Sequence, residues 1–149
     1  MKIYLDNCCY NRPYDEHTHD RVRIEAIAVM SAVEFCRLAG YGIVGSIAVV
    51  NEINKIRNVD KLNKVREFYN RAINDYIPIS ADIAKRARTL QAKGLKALDG
   101  FHLAFAEAAE ADFLLTTDDR FEKACAKMNL TLKVINPLNF LPEAIKWAL

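Results

Sequence analysis

The 149 residues carry 21 Lys and Arg against 19 Asp and Glu, a formal net charge of +2, with 52% hydrophobic and 27% charged residues. Such a length suits one domain that buries about two-thirds of its unfolded surface without metal or disulfide staples, and the composition excludes a disordered or collagen-like chain. A balance this close to neutral says nothing for or against nucleic acid; only the placement of the charges bears on that.

Ile3 to Leu5 read as a buried strand ending on Asp6, an acid that is costly to bury unless something pairs with it. Asp6 either caps a turn or serves a site, and the stretch alone leaves both open. A polar segment, NRPYDEHTHD (11 to 20), leads to a long helical pattern from about Val22 to Ala39 that stops at Gly40 and Gly42. The run IVGSI (43 to 47) suits a strand, and AVVNEINKI (48 to 56) a helix.

A charged amphipathic helix follows from Val59 to Asn74, then a short extended piece, IPIS (77 to 80), with Ser80 placed to cap a helix running to Lys93. Gly94 ends it. A further helix is predicted over Leu98 to Ala111, a buried strand over FLLT (113 to 116), a helix over FEKACAKM (121 to 128) and a last strand over LKVI (132 to 135). LPEAIKWAL (141 to 149) fits a terminal helix with Pro142 in its first turn. Continuous apolar strands alternating with helices predict a single domain, 1–149, built as a three-layer α/β/α sandwich around a mostly parallel sheet.

The cysteines, Cys8, Cys9, Cys36 and Cys125, form no CxxC pair and lack zinc-site spacing, so they read as reduced, mostly buried thiols. The apolar stretches AIAVMSAV (26 to 33) and IVGSIAVV (43 to 50) fall short of the roughly 20 residues of a membrane span. With Asp6 and Arg12 interrupting any leader pattern, a soluble cytoplasmic protein is expected.

Ligands of open parallel sheets collect beyond the carboxyl ends of the strands. Asp6 ends the first strand, Glu52 lies near the start of the helix after the second, and Asp118 with Asp119 follows FLLTT (113 to 117). Asp99 opens a helix that is otherwise apolar or small; alone, it is explained by the favourable helix N-terminus. If these acids meet, two charges 4 Å apart repel by roughly 4 kcal/mol at an effective dielectric of 20, so a cation must offset them. No lysine or arginine stands beside Asp6, Glu52 or Asp99 in the sequence, and an all-carboxylate cluster suits Mg²⁺ or Mn²⁺ rather than zinc.

The opening IYLDN, the segment SIAVVNEI, the segment LDGFHLAFAEAAEADFLLTTDDRF and the closing VINPLNFL together resemble a PIN domain of the kind found in VapC-type toxins. The resemblance covers most of the chain. It implies that Asp6, Glu52, Asp99 and Asp118 form an acidic quartet, with Asp6, Asp99 and Asp118 holding Mg²⁺ or Mn²⁺ and Glu52 acting through water or a second ion. The implied activity is metal-assisted hydrolysis of RNA phosphodiesters by an endoribonuclease. The implied partners are RNA, a separately encoded antitoxin and a second copy in a homodimer. Many members have Thr or Ser after the first acid and then Asn, whereas this chain has Asn7 and then Cys8.

Asn7, Ser46, Thr116 and Asp119 are candidates to support the quartet, although Ser46 and Thr116 serve equally as ordinary strand-end hydroxyls. Arg12 either reaches a substrate phosphate or pairs with Asp15 or Glu16. His102, three residues after Asp99 on the same helix face, reads as a packed helix residue before a ligand, and His17 and His19 as solvated. Lys55, Arg57, Lys61, Lys64, Arg66 and Arg71 form one basic run and Lys85, Arg86, Arg88, Lys93 and Lys96 another. Either is a solvated helix face or a guide for an RNA backbone. Tyr69, Tyr76 and Trp147 read as core before interface.

The alternative to a nuclease is a PIN-fold module that binds RNA or protein without cutting, and four repelling carboxylates argue against it. Haloacid-dehalogenase-like chemistry needs an aspartate two positions after the first, where Cys8 stands, and a receiver domain needs paired acids where Asp6 stands alone.

Overall fold

The computed structural model describes residues 1–149 and turns the alternating apolar runs into a five-stranded sheet flanked by helices. Strand β1 (Lys2–Leu5) lies at its centre, and Ile3, Tyr4 and Leu5 have no solvent exposure. It is paired with β2 (Gly42–Ser46) on one side and β4 (Phe113–Leu115) on the other, while β3 (Asp75–Ile77) and β5 (Lys133–Ile135) form the edges. The order is β3-β2-β1-β4-β5 with every pair parallel, so the expected sandwich holds and the sheet is wholly rather than mostly parallel. Parallel neighbours cannot be joined by a tight turn, and a helix intervenes on each return to the sheet.

The helices are α1 (Asn7–Asn11), α2 (Asp20–Ala39), α3 (Ile47–Ile53), α4 (Val59–Ala72), α5 (Ala81–Ala92), α6 (Ala97–Ala108), α7 (Asp119–Ala126) and α8 (Phe140–Ala148). Ser80 caps α5 as its sequence position predicts, accepting from the Ile83 N–H at 3.2 Å. The helix α1 was not predicted, since five residues reading NCCYN show no apolar period. The third strand lies before Pro78 rather than through it, because proline has no N–H to give a ladder. Likewise α6 stops at Ala108, three residues short of the predicted end, where Glu110 takes φ 57° and turns the chain into β4.

Two glycines allow close approaches that position the site. A Cβ at Gly45 in β2 would lie 2.3 Å from the Tyr69 hydroxyl, so this residue lets α4 pack down onto the sheet. A Cβ at Gly100 would lie 3.0 Å from the Ala87 carbonyl oxygen, so α6 presses against α5 one residue after Asp99. No helix is long and apolar enough to cross a membrane.

Candidate active site

Successive strands run outward from β1 in both directions, so a switch point lies beside it, where β1 and β4 end side by side. Asp6 leaves the first of these strands and Asp118 follows the second. The Asp6 N–H donates to the Leu115 carbonyl at 2.9 Å, which carries the ladder one residue past β1 and holds the 6%-exposed carboxyl at the sheet edge. Thr116 Oγ1 donates to Asp6 Oδ2 at 2.8 Å and accepts from the Asp118 N–H at 3.1 Å, so one hydroxyl ties the two strand ends together. Asp118 Oδ1 accepts from the Arg120 and Phe121 N–H groups at 2.9 and 3.3 Å, which caps α7 and explains why that helix starts before the predicted Phe121.

Asp99 is the third residue of α6, as expected. Glu52 is not near the start of its helix but in the last turn of α3, which is only seven residues long. Asp6, Glu52, Asp99 and Asp118 line one cavity of about 390 Å³, together with Asn7, Cys8, Asn11 and Lys96. The acids from four elements are thus brought together.

His102 is 1% exposed, as a packed helix residue should be, yet it is also bonded into the acid cluster. Its Nε2–H donates to Glu52 Oε1 and lies 3.4 Å from Asp6 Oδ1. A carboxylate only accepts, so Nε2 carries the proton. On its other side Nδ1 shares a 2.7 Å hydrogen bond with the Tyr4 hydroxyl, which shares another of 2.7 Å with Ser46 Oγ. Ligand atoms of Asp6, Glu52 and His102 all lie within 4.8 Å of one another. The partner that the neighbouring sequence did not offer these acids is therefore an imidazole N–H delivered across the fold. Two features of the sequence could have found it: the D-x-x-H spacing, which sets Asp99 and His102 on one helix face, and a tyrosine hydroxyl in the middle of the apolar strand IYL.

The electrostatics follow from this packing. Burial pushes the Asp99 carboxyl up to about 6, with Asp6 and Asp118 adding to the rise while His102 and Lys96 oppose it. For His102, burial is the largest influence and lowers the imidazole, but Asp6, Glu52 and Asp99 outweigh it and the net direction is upward. Asn7 Oδ1 and Asn11 Oδ1 are buried without a hydrogen-bond partner. An oxygen-rich wall of carboxylates with unpartnered amide oxygens fits a hard divalent ion.

Three expected supporting residues behave differently from one another. Thr116 braces Asp6 and Asp118 directly. Ser46 braces Tyr4 and caps α3 through the Val49 N–H at 3.4 Å, and reaches the acids only through Tyr4 and His102. Asp119 turns away and is gripped by Arg21 at 2.9 and 2.7 Å, so it faces α2 and not the cavity. Arg12 pairs with Asp15 at 3.1 Å and with the fully buried Glu25 at 3.2 Å, which is the ion-pair alternative rather than a free phosphate ligand. His17 is exposed, with Nε2 3.1 Å from the Pro13 carbonyl, and His19 is exposed as well.

An α/β protein with an acid-lined cavity at the switch point of a parallel sheet is the class that this geometry defines. The family model described as "PIN domain" matches residues 3–127. The chain therefore belongs to the PIN-domain family, whose members are in general metal-dependent nucleases. No curated protein matches the chain.

Proposed function

We propose that this PIN-domain protein is a Mg²⁺- or Mn²⁺-dependent endoribonuclease, with Asp6, Asp99 and Asp118 as metal ligands and Glu52 completing the catalytic set. The observation that carries the reading is the convergence of four acids from four elements on one cavity, beside the unpartnered Asn7 oxygen. Such an ion, when bound, supplies Lewis acidity to water and to the phosphate. The chain's own residues hold the acids in place: Thr116 fixes Asp6, His102 fixes Glu52, and the first turn of α7 fixes Asp118. Lys96 at the cavity wall is a ready partner for a phosphate oxygen.

The finer role we infer is that of a toxin in a toxin–antitoxin pair, cytoplasmic, dimeric and restrained by a separately encoded antitoxin. Its support is the resemblance of the four quoted segments, and, for self-association, the exposed apolar side chains Ile24, Ile27, Met30 and Leu38 on α2, and Ile145 and Trp147 on α8. The test of the activity is incubation of purified protein with mixed-sequence RNA in Mg²⁺ or Mn²⁺, in chelator, and with Asp6→Asn as matched control. Cutting that needs the ion and is lost in the variant is expected. A folded protein that neither binds a divalent ion nor cuts RNA would overturn the nuclease reading.

A further inference from the structure

A second cavity, of about 510 Å³, opens between the C-terminal ends of α5 and α7. Its floor is apolar, from Leu90, Met128 and Leu130, and its rim carries Lys93, Lys127 and Asn129. Arg86 also reaches its wall but is taken up by Glu107 at 3.0 and 3.1 Å, whereas Lys93 and Lys127 take part in no ion pair. Lysines at helix ends are favoured by the macrodipole alone, so their charge is not what distinguishes the place. The distinguishing feature is a half-apolar cavity of ligand size set between two unpaired cations.

Its position relates it to the acids. Gly94 lines this cavity and Lys96, two residues further on, lines the acidic one, so the two cavities meet the same short link between α5 and α6. On the other wall, α7 is capped by Asp118 and ends at the second cavity; its eight residues rise about 12 Å, a distance covered by roughly three to four stacked nucleotides at 3.4 Å each.

We propose that this cavity is a nucleotide subsite for single-stranded RNA: Lys93 and Lys127 take phosphates, the Leu90–Met128–Leu130 floor takes the face of a base, and Asn129 meets its polar edge. Bases offer an apolar face and a hydrogen-bonding rim, and this lining matches both. The proposal rests on RNA being the substrate of the acidic cavity, and it moves substrate selection a few nucleotides away from the cut.

The test is fluorescence anisotropy of the full chain with a labelled, mixed-sequence single-stranded RNA in chelator, so that no cutting enters the readout. The double variant Lys93→Gln, Lys127→Gln is compared with Lys85→Gln, Arg88→Gln, which removes the same charge from α5 outside the cavity. At −0.7 per phosphate, the first variant should lower the salt slope by about 1.4 and weaken binding roughly 25-fold near 0.1 M salt, and the control should do much less. Equal losses in both variants, or RNA binding that survives in the first, would overturn the subsite alone. A wild-type protein with no RNA affinity would overturn the RNA reading and the subsite with it.

Discussion

Replacing Asp99 by asparagine removes a charge that the metal-free protein holds at a cost. The carboxyl is lifted from 3.8 to about 6, mainly by burial and then by Asp6 and Asp118. An acid whose pKa is raised on folding stabilises the native state only when protonated; that contribution is full below the unfolded value and lost as pH rises through about 6. Taken whole, the shift is worth about 3 kcal/mol at neutral pH, and solvent reaching this half-buried group reduces it to about 1–2 kcal/mol. The Asp99→Asn variant in chelator at pH 7 should therefore melt higher than wild type by about 2–8 °C. The advantage should shrink as pH falls below 6, where the wild-type carboxyl takes up its proton.

Adding Mn²⁺ should reverse the order, because an ion that binds only the native state stabilises wild type by RT ln(1 + [L]/Kd), and the variant has lost a ligand. Differential scanning fluorimetry over pH 4.5–7.5, with and without Mn²⁺, reads both arms. A variant less stable than wild type in chelator at pH 7 would refute the idea that the Asp99 charge is held at a cost by burial and by its neighbours. A Mn²⁺ shift of the same size in both proteins would refute its role as a ligand.

Two further substitutions separate structure from site. Asp118→Asn keeps a good N-cap on α7 and should leave stability in chelator near wild type while losing Mn²⁺ affinity, whereas Asp118→Ala should lose about 1 kcal/mol as well; chemical denaturation and calorimetric titration distinguish them. His102→Ala leaves Glu52 and the Tyr4 hydroxyl without their shared partner and should cost about 2–4 kcal/mol. Tyr4→Phe, which removes only the outer brace, should cost about 1–2 kcal/mol, and urea unfolding of the pair tests that ranking.

Local features of the sequence were sufficient for the alternation of strands and helices. Apolar runs such as FLL in β4 and IYL in β1 are continuous because both faces of a parallel strand are covered, and Ser80 could be read as a cap because its hydrogen bond spans only three residues. The four acids were legible for a related reason: each sits at or near an element end, where a strand or helix delivers it to the sheet edge. What sequence alone left undecided is every contact whose partners lie far apart. The pairing of Leu5 with Leu115 sets Thr116 beside Asp6, and the packing of α6 carries His102 to Glu52, fifty residues away along the chain. Arg12 and Asp119 show the converse, since each had a plausible place in the site until tertiary structure supplied Glu25 and Arg21 as partners. Element identity comes from patterns repeating every two to four residues, whereas side-chain partners depend on sheet register and helix packing, which the same short patterns do not encode.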